Sequence, residues 1–259
     1  MIQNLLLHWQ FVKLKYASRM AYRFDFFTCM FAFFLFQLSG PLFVGVIFYA
    51  GGLFPGWSFP QLLLLQGTLA LIRGFSFMSF FGLLWNTQDH MRRGTFDLLL
   101  IRPVNSLWFL VMNSFDEEDS GQFIGGVAIT LVAVSLLPEL QGSLLAFFAI
   151  LLLGVLFFLS LALLCSAATI IFIETQRLYE FIDIIMIFAS YPKTIYSGSI
   201  AILFNTLIPL FVAGNYPASA LLGFSLDGVL IAAVSVIGLL TVSMFIWHKT
   251  LRYYTSAGG

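Results

Sequence analysis

Charge is what this chain has least of. Asp, Glu, Lys and Arg make up 9% of its 259 residues, against roughly a quarter in a soluble domain. Hydrophobic residues reach 60% and mean hydropathy is +0.98, which excludes an ordinary water-soluble fold. The apolar runs are continuous, which excludes the apolar–polar alternation of a transmembrane β-barrel. Cysteine is nearly absent. Cys29 and Cys165 both lie inside apolar runs, so no disulfide framework is expected. The three histidines, His8, His90 and His248, fall at the edges of apolar segments. They give no zinc-ligand spacing and no Ser–His pair within the membrane. No Gly-Lys dipeptide occurs, so there is no phosphate-cradling P-loop. The chain is expected to be no enzyme and to hold no cofactor or metal. Its 12 basic and 12 acidic residues cancel, and no nucleic-acid partner is expected.

What remains is an all-α membrane protein. Residues 1–24 place Ile2, Leu5, Leu6, Trp9, Val12, Tyr16 and Met20 at three- and four-residue steps. Lys13, Lys15, Arg19 and Arg23 fall mostly elsewhere, and this pattern reads as an amphipathic helix in the membrane surface. No small-residue cleavage site follows, so it does not read as a signal peptide. Residues 25–259 form the transmembrane domain, with apolar runs over 26–50, 61–87, 121–137, 142–173, 178–196 and 228–247. A seventh stretch, 199–213, contains Asn205, Thr206 and Pro209. It falls short of the roughly 20 apolar residues a full crossing needs.

Charge placement selects among topologies. With six spans and both termini inside, Lys13, Lys15, Arg19, Arg23, Arg92, Arg93, Arg102, Arg177, Lys249 and Arg252 lie on the inner side, and only Lys193 lies outside. A seventh span would move Lys249 and Arg252 outward. Residues 191–227 are then an outer-face segment carrying a re-entrant hairpin, and residues 88–120 form a cytoplasmic loop. No two halves resemble each other, which weakens a secondary-transporter reading.

A few polar residues stand out against this background. Arg73 falls near the middle of the second span, where an arginine costs several kcal/mol unless it faces protein or water. Gln37 lies at similar depth and could accept its hydrogen bond. Two readings remain for Arg73: a translocation path or subunit seam, or a structural arginine. Glu174, Arg177 and Glu180 share a helix face that Asp183 extends, either as an interfacial anchor or as a second cytoplasmic contact. The acidic run 116–119 reads as solvated. Gly121 and Gly125 give a G-x-x-x-G match, weak by itself, and Asp227 reads as the N-cap of the last span.

The most punctuated stretch is "MRRGTFDLLLIRPVNSLW", residues 91–108. Arg93 and Asp97 are spaced to pair across one helical turn. Phe96 and residues 98–101 give a short helix an apolar surface, and Pro103 holds Arg102 extended and ends it. Such an element suits docking into a groove of another protein, or lying as an anchor among the lipid headgroups.

This stretch resembles the cytoplasmic loop motif of the ABC-2-type permeases of type V ABC exporters. "ASRMAYRFDFF" (17–27), "LIRGFSF" (71–77), "YPKTIY" (191–196) and "IPLFVAGNYPASALLG" (208–223) resemble further segments of that family in the same order. The resemblance is nearest to the subset often found with a sister permease. It implies a dimer with a second permease chain, a separate ATPase subunit that binds ATP and magnesium, and a coupling helix in the loop after span two. It assigns Gly94, Asp97, Leu98, Arg102 and Pro103 to coupling, with Arg92 and Arg93 beside them. Tyr191, Pro192, Pro209, Tyr216 and Pro217 fall to the outer gate. The stretch "NSFDEEDSG" (113–121) departs from the family pattern by its acidity. An ATP-independent transporter or channel and a non-transporting assembly subunit are the alternatives. The expected location is a prokaryotic plasma membrane.

Overall fold

The computed structural model describes residues 2–52, 54–172 and 176–254, apart from the side chains of residues 2–8, 176, 177 and 179. Among the described residues there is no strand. The helices are α1 (Ile2–Arg19), α2 (Arg23–Gln37), α3 (Ser39–Tyr49), α4 (Phe59–Ser76), α5 (Leu83–Arg92), α6 (Phe96–Leu100), α7 (Ser106–Asn113), α8 (Ser120–Leu136), α9 (Leu144–Ile171), α10 (Gln176–Ala189), α11 (Gly198–Thr206), α12 (Asn215–Leu222) and α13 (Val229–Tyr253). Among the described residues, four stretches are long and apolar enough to cross a membrane: Trp9–Tyr49, Phe59–Arg92, Leu144–Ile171 and Val229–Tyr253. The shorter α8 is also apolar.

Sequence explains several boundaries. Ser58 and Gln61 form a capping box at the start of α4, with the Ser58 N–H donating to Gln61 Oε1 at 2.8 Å. Ser143 Oγ accepts from the Ala146 N–H at the start of α9. The first run, expected unbroken over 26–50, divides at Leu38 into α2 and α3. Pro41 supplies the reason, since it has no N–H to donate to the carbonyl of Gln37. The second run passes through a π-helical turn at Phe77–Phe81. The fifth run is shorter than expected: α10 ends at Ala189 rather than continuing to 196, and Pro192 follows. Its 14 residues reach about 21 Å at 1.5 Å per residue.

The core is built by close approach of α4 and α8. A Cβ on Gly74 would lie 2.5 Å from the Phe123 amide nitrogen, and one on Gly126 would strike the backbone at Leu71. Glycine is therefore needed at this crossing. The G-x-x-x-G pair turns partly elsewhere, with Gly121 against the Met30 carbonyl and Gly125 against the Gln37 side chain, both on α2.

The bundle has two distinct ends. At one, Arg19 of α1 meets Glu117, and Phe96 of α6 meets Tyr254 beyond α13. At the other, Phe54 stacks on Tyr191, Trp57 meets Phe224 edge-on, and the Gly142 N–H donates to the Leu221 carbonyl. The ambiguous stretch is broken into α11, a three-ten turn at Leu210–Ala213, and α12. Neither helix exceeds 9 residues, so neither crosses a bilayer core of about 30 Å alone.

Candidate coupling element and polar cavity

The loop between α5 and α8 builds a defined element. Gly94 adopts φ +63°. The Gly94 N–H donates to the Met91 carbonyl and the Thr95 N–H to the His90 carbonyl, the bonding pattern of a Schellman motif. His90 Nδ1 lies 2.8 Å from Thr95 Oγ1. Because α5 ends here, Asp97 stands on a different helix from Arg93. The expected Arg93–Asp97 pair is replaced by one between Arg93 Nε and Asp89 Oδ1, one turn back on α5, at 2.8 Å.

The short α6 has two faces. Phe96 and Leu99 are buried among Leu83, Leu110, Leu163, Ala167, Ile170 and Trp247. The Phe96 and Tyr254 rings meet edge to face at 5.0 Å. These contacts seat α6 on the adjacent ends of α9 and α13. The other face and the turn after it expose Leu98, Leu100, Ile101 and Val104. Arg92, Arg93, Gly94, Arg102 and Pro103 are exposed beside them, whereas Asp97 is half-buried. The Arg102 guanidinium lies 4.4 Å from the Phe109 ring centroid, in cation–π geometry. Asn105 Oδ1 then caps α7 by accepting from the Trp108 N–H.

The acidic run is not solvated as expected. Arg19 Nε meets Glu117 Oε1 at 2.8 Å, and Arg19 Nη2 meets Glu118 Oε1 at 3.0 Å. Lys15, one turn earlier, donates to the carbonyls of Asn113 and Phe115. The Asp116 N–H donates to the Met78 carbonyl in the π-helical turn. Helix α1 is thus clasped to the segment joining α7 to α8. Burial raises the Glu118 pKa, with Arg19 opposing. Burial pushes Asp119 up to about 6, against the hydrogen bond from Gln122 and the charge of Arg73.

Arg73 opens on a cavity of about 310 Å³ between the α2–α3 break, α4 and α10. Its Nη2 lies 3.2 Å from Asp183 Oδ1, and its guanidinium lies 5.2 Å from the Phe77 ring centroid. The ion pair therefore goes to Asp183, which the sequence grouped with Glu174, Arg177 and Glu180. Gln37 lines the same cavity, as does Gln66, whose Nε2 donates to the Ser190 carbonyl at 2.6 Å. Glu180 is exposed on α10, while Glu174 and the Arg177 side chain lie outside the described residues.

Of the residues expected at the outer gate, Tyr216 is 2% exposed. Its hydroxyl donates to Asn205 Oδ1 at 2.6 Å and lies 3.1 Å from the Asp227 carbonyl oxygen. Asn205 Nδ2 donates to the Gly228 carbonyl. Asp227 is accordingly no helix N-cap: Gly228, at φ +89°, takes that position with no side-chain cap. Pro192, Pro209 and Pro217 are buried, and Tyr191 is half-buried.

The sequence named Lys15, Arg19, the acidic run that holds Glu117, and Asn205, but gave none of them a partner. Their partners lie on separate elements, beyond the reach of any local spacing rule. Residues 34–258 match the family model described as ABC-2 family transporter protein. No curated protein and no solved structure gives a match.

Proposed function

The chain belongs to the ABC-2 family of transporter proteins, and from that premise we propose that it is the permease subunit of an ATP-driven exporter. It is a multi-pass membrane protein. In the proposed complex a separate ATPase subunit binds ATP and magnesium. A second permease, a copy or a sister chain, completes the pathway.

The observation that carries this reading is the two-faced α6. Its buried side is anchored by Phe96 and Leu99 on α9 and α13, and its open side presents an apolar ridge flanked by Arg92, Arg93 and Arg102. A helix held this way can pass a displacement from a docked partner into the long helices. Close packing allows little of that motion to be absorbed locally. ATP-driven movement of the partner then shifts the balance between inward- and outward-open arrangements.

A six-span topology follows if α8 and α10 cross with the four longer stretches. The α1–loop clasp and the Phe96–Tyr254 contact gather both terminal regions at the α6 end of the bundle. This supports an even number of crossings, with that end cytoplasmic by the basic-residue asymmetry. The α11–α12 segment would be the re-entrant outer gate, held by Tyr216. The Arg73–Asp183 cavity faces the open side of α2 and α10, and the proposal assigns it to the half-pathway each permease contributes.

Substitution of Arg102→Ala with Pro103→Ala tests the reading. The complex should assemble and hydrolyse ATP, while export by cells carrying the variant falls to the level of a strain lacking the gene. Wild-type export by the double variant would refute coupling through this element.

A further inference from the structure

A second pocket lies at the outer end, away from the coupling element and the Arg73 cavity. It holds about 460 Å³ between the three-ten turn Lys193–Ile195, α11 and the start of α13. Its walls are mainly apolar, with Ile202, Phe211 and Ile231 among them. Two opposite charges reach it, Lys193 and Asp227. Among the described residues neither enters an ion pair within 4.0 Å. The Lys193 ammonium instead lies 5.0 Å from the Tyr216 ring centroid. Burial holds the lysine pKa below its usual value, and Asp227 is near enough to oppose that shift.

These features restrict the occupant. A plain anion would satisfy Lys193 but meet the Asp227 carboxylate, and a plain cation would meet the reverse. A purely apolar ligand would strip water from both charges and replace it with nothing. A zwitterion with an anion and a cation a few bonds apart satisfies both. A carboxylate gains most from a cation that donates N–H hydrogen bonds, which a primary ammonium does and a quaternary one does not. The polar end is preformed, because Tyr216 holds Asn205 beside the Asp227 backbone. The rim is apolar and open: Ile202 of α11 and Leu230, Ile231 and Val234 of α13 are all exposed. In a membrane protein such a rim faces acyl chains.

We propose that this pocket binds a zwitterionic aminophospholipid, with its phosphate on Lys193, its ammonium on Asp227 and one acyl chain leaving between α11 and α13. This assignment is independent of whether an ATPase docks on α6. It is tested on the purified full chain in nanodiscs containing equal amounts of phosphatidylethanolamine, phosphatidylglycerol and phosphatidylcholine, with retained lipid measured by native mass spectrometry. Wild type should retain phosphatidylethanolamine about tenfold over either other lipid, the value of one charge-assisted hydrogen bond. Asp227→Asn should turn the preference toward phosphatidylglycerol. Lys193→Gln should lower retention of both, while Lys193→Arg keeps the wild-type order. Equal retention of the three lipids would overturn the assignment, as would preference for phosphatidylglycerol in the wild type, which marks a simple cation site. Asp227 is exposed, so Asp227→Asn decides the matter even if a Lys193 variant fails to fold.

Discussion

The clasp between α1 and the acidic run makes an asymmetric prediction. The Glu117 side chain is 7% exposed and that of Arg19 is 45% exposed. Replacing Arg19 with Ala leaves a buried carboxylate without its closest cation, and only Lys15 remains nearby to offset the charge. Replacing Glu117 with Gln leaves Arg19 half in solvent, where water and Glu118 take over. Breaking a fully buried pair by removing one partner costs about 3–5 kcal/mol, and exposed pairs are worth about 0–1 kcal/mol. The half-open geometry puts Arg19→Ala at roughly 2 kcal/mol and Glu117→Gln nearer 1 kcal/mol. The double variant should cost less than the sum of the two, because the stranded carboxylate is gone. Melting followed by tryptophan fluorescence in one detergent, with all four proteins side by side, reads the cycle. A Glu117→Gln loss equal to or larger than that of Arg19→Ala would refute the reasoning, and so would strict additivity.

Other expectations follow from the same geometry. Phe96→Ala removes a fully buried ring that seats α6 and should cost about 3–5 kcal/mol; Phe96→Leu, nearer in volume, should cost less and keep α6 protected in hydrogen exchange. Gly94→Ala forces a side chain into a left-handed backbone and should cost on the order of 1 kcal/mol, read as a lower melting temperature with the oligomer unchanged. Burial raises the Asp119 pKa to about 6, so the folded state holds its proton more tightly than the unfolded chain. Its destabilising effect is therefore present above that value and is lost as pH falls through the window from about 6 to about 4. Asp119→Asn should melt higher than wild type at pH 7.5, by an amount that shrinks toward pH 5. Arg73→Ala should leave a monodisperse protein with impaired export, and loss of the folded complex on a sizing column would instead mark Arg73 as structural.

Local chemistry made much of the fold legible. Continuous apolar runs located the long helices, and Pro103 marked the stop after α6. The basic asymmetry put α1, the 88–120 loop and the C-terminal region on one side, and contacts from α1 and from Tyr254 do meet that loop at one end of the bundle. What escaped depends on contacts between distant elements. The Arg19–Glu117 pair joins residues 98 positions apart, and Arg73–Asp183 joins residues 110 apart. Neither separation leaves a trace in local spacing. Arg93 chose Asp89 over Asp97 because Gly94 ended the helix between them, which the same sequence rule could have anticipated. The end of α10 at Ala189 was legible in Pro192 and Lys193, through which the expected run was carried to 196 although Pro192 bars the residue before it from helical geometry.

The central claim is that the exposed ridge of α6 receives a partner ATPase. A photo-crosslinking residue placed at Leu98 or Ile101 in living cells, with Leu230 as control at the other end of the bundle, tests it directly. The account predicts a crosslink from positions 98 and 101 to a P-loop ATPase, identified by mass spectrometry and absent from position 230. Adducts only to lipid, or the same ATPase captured equally from position 230, would contradict it.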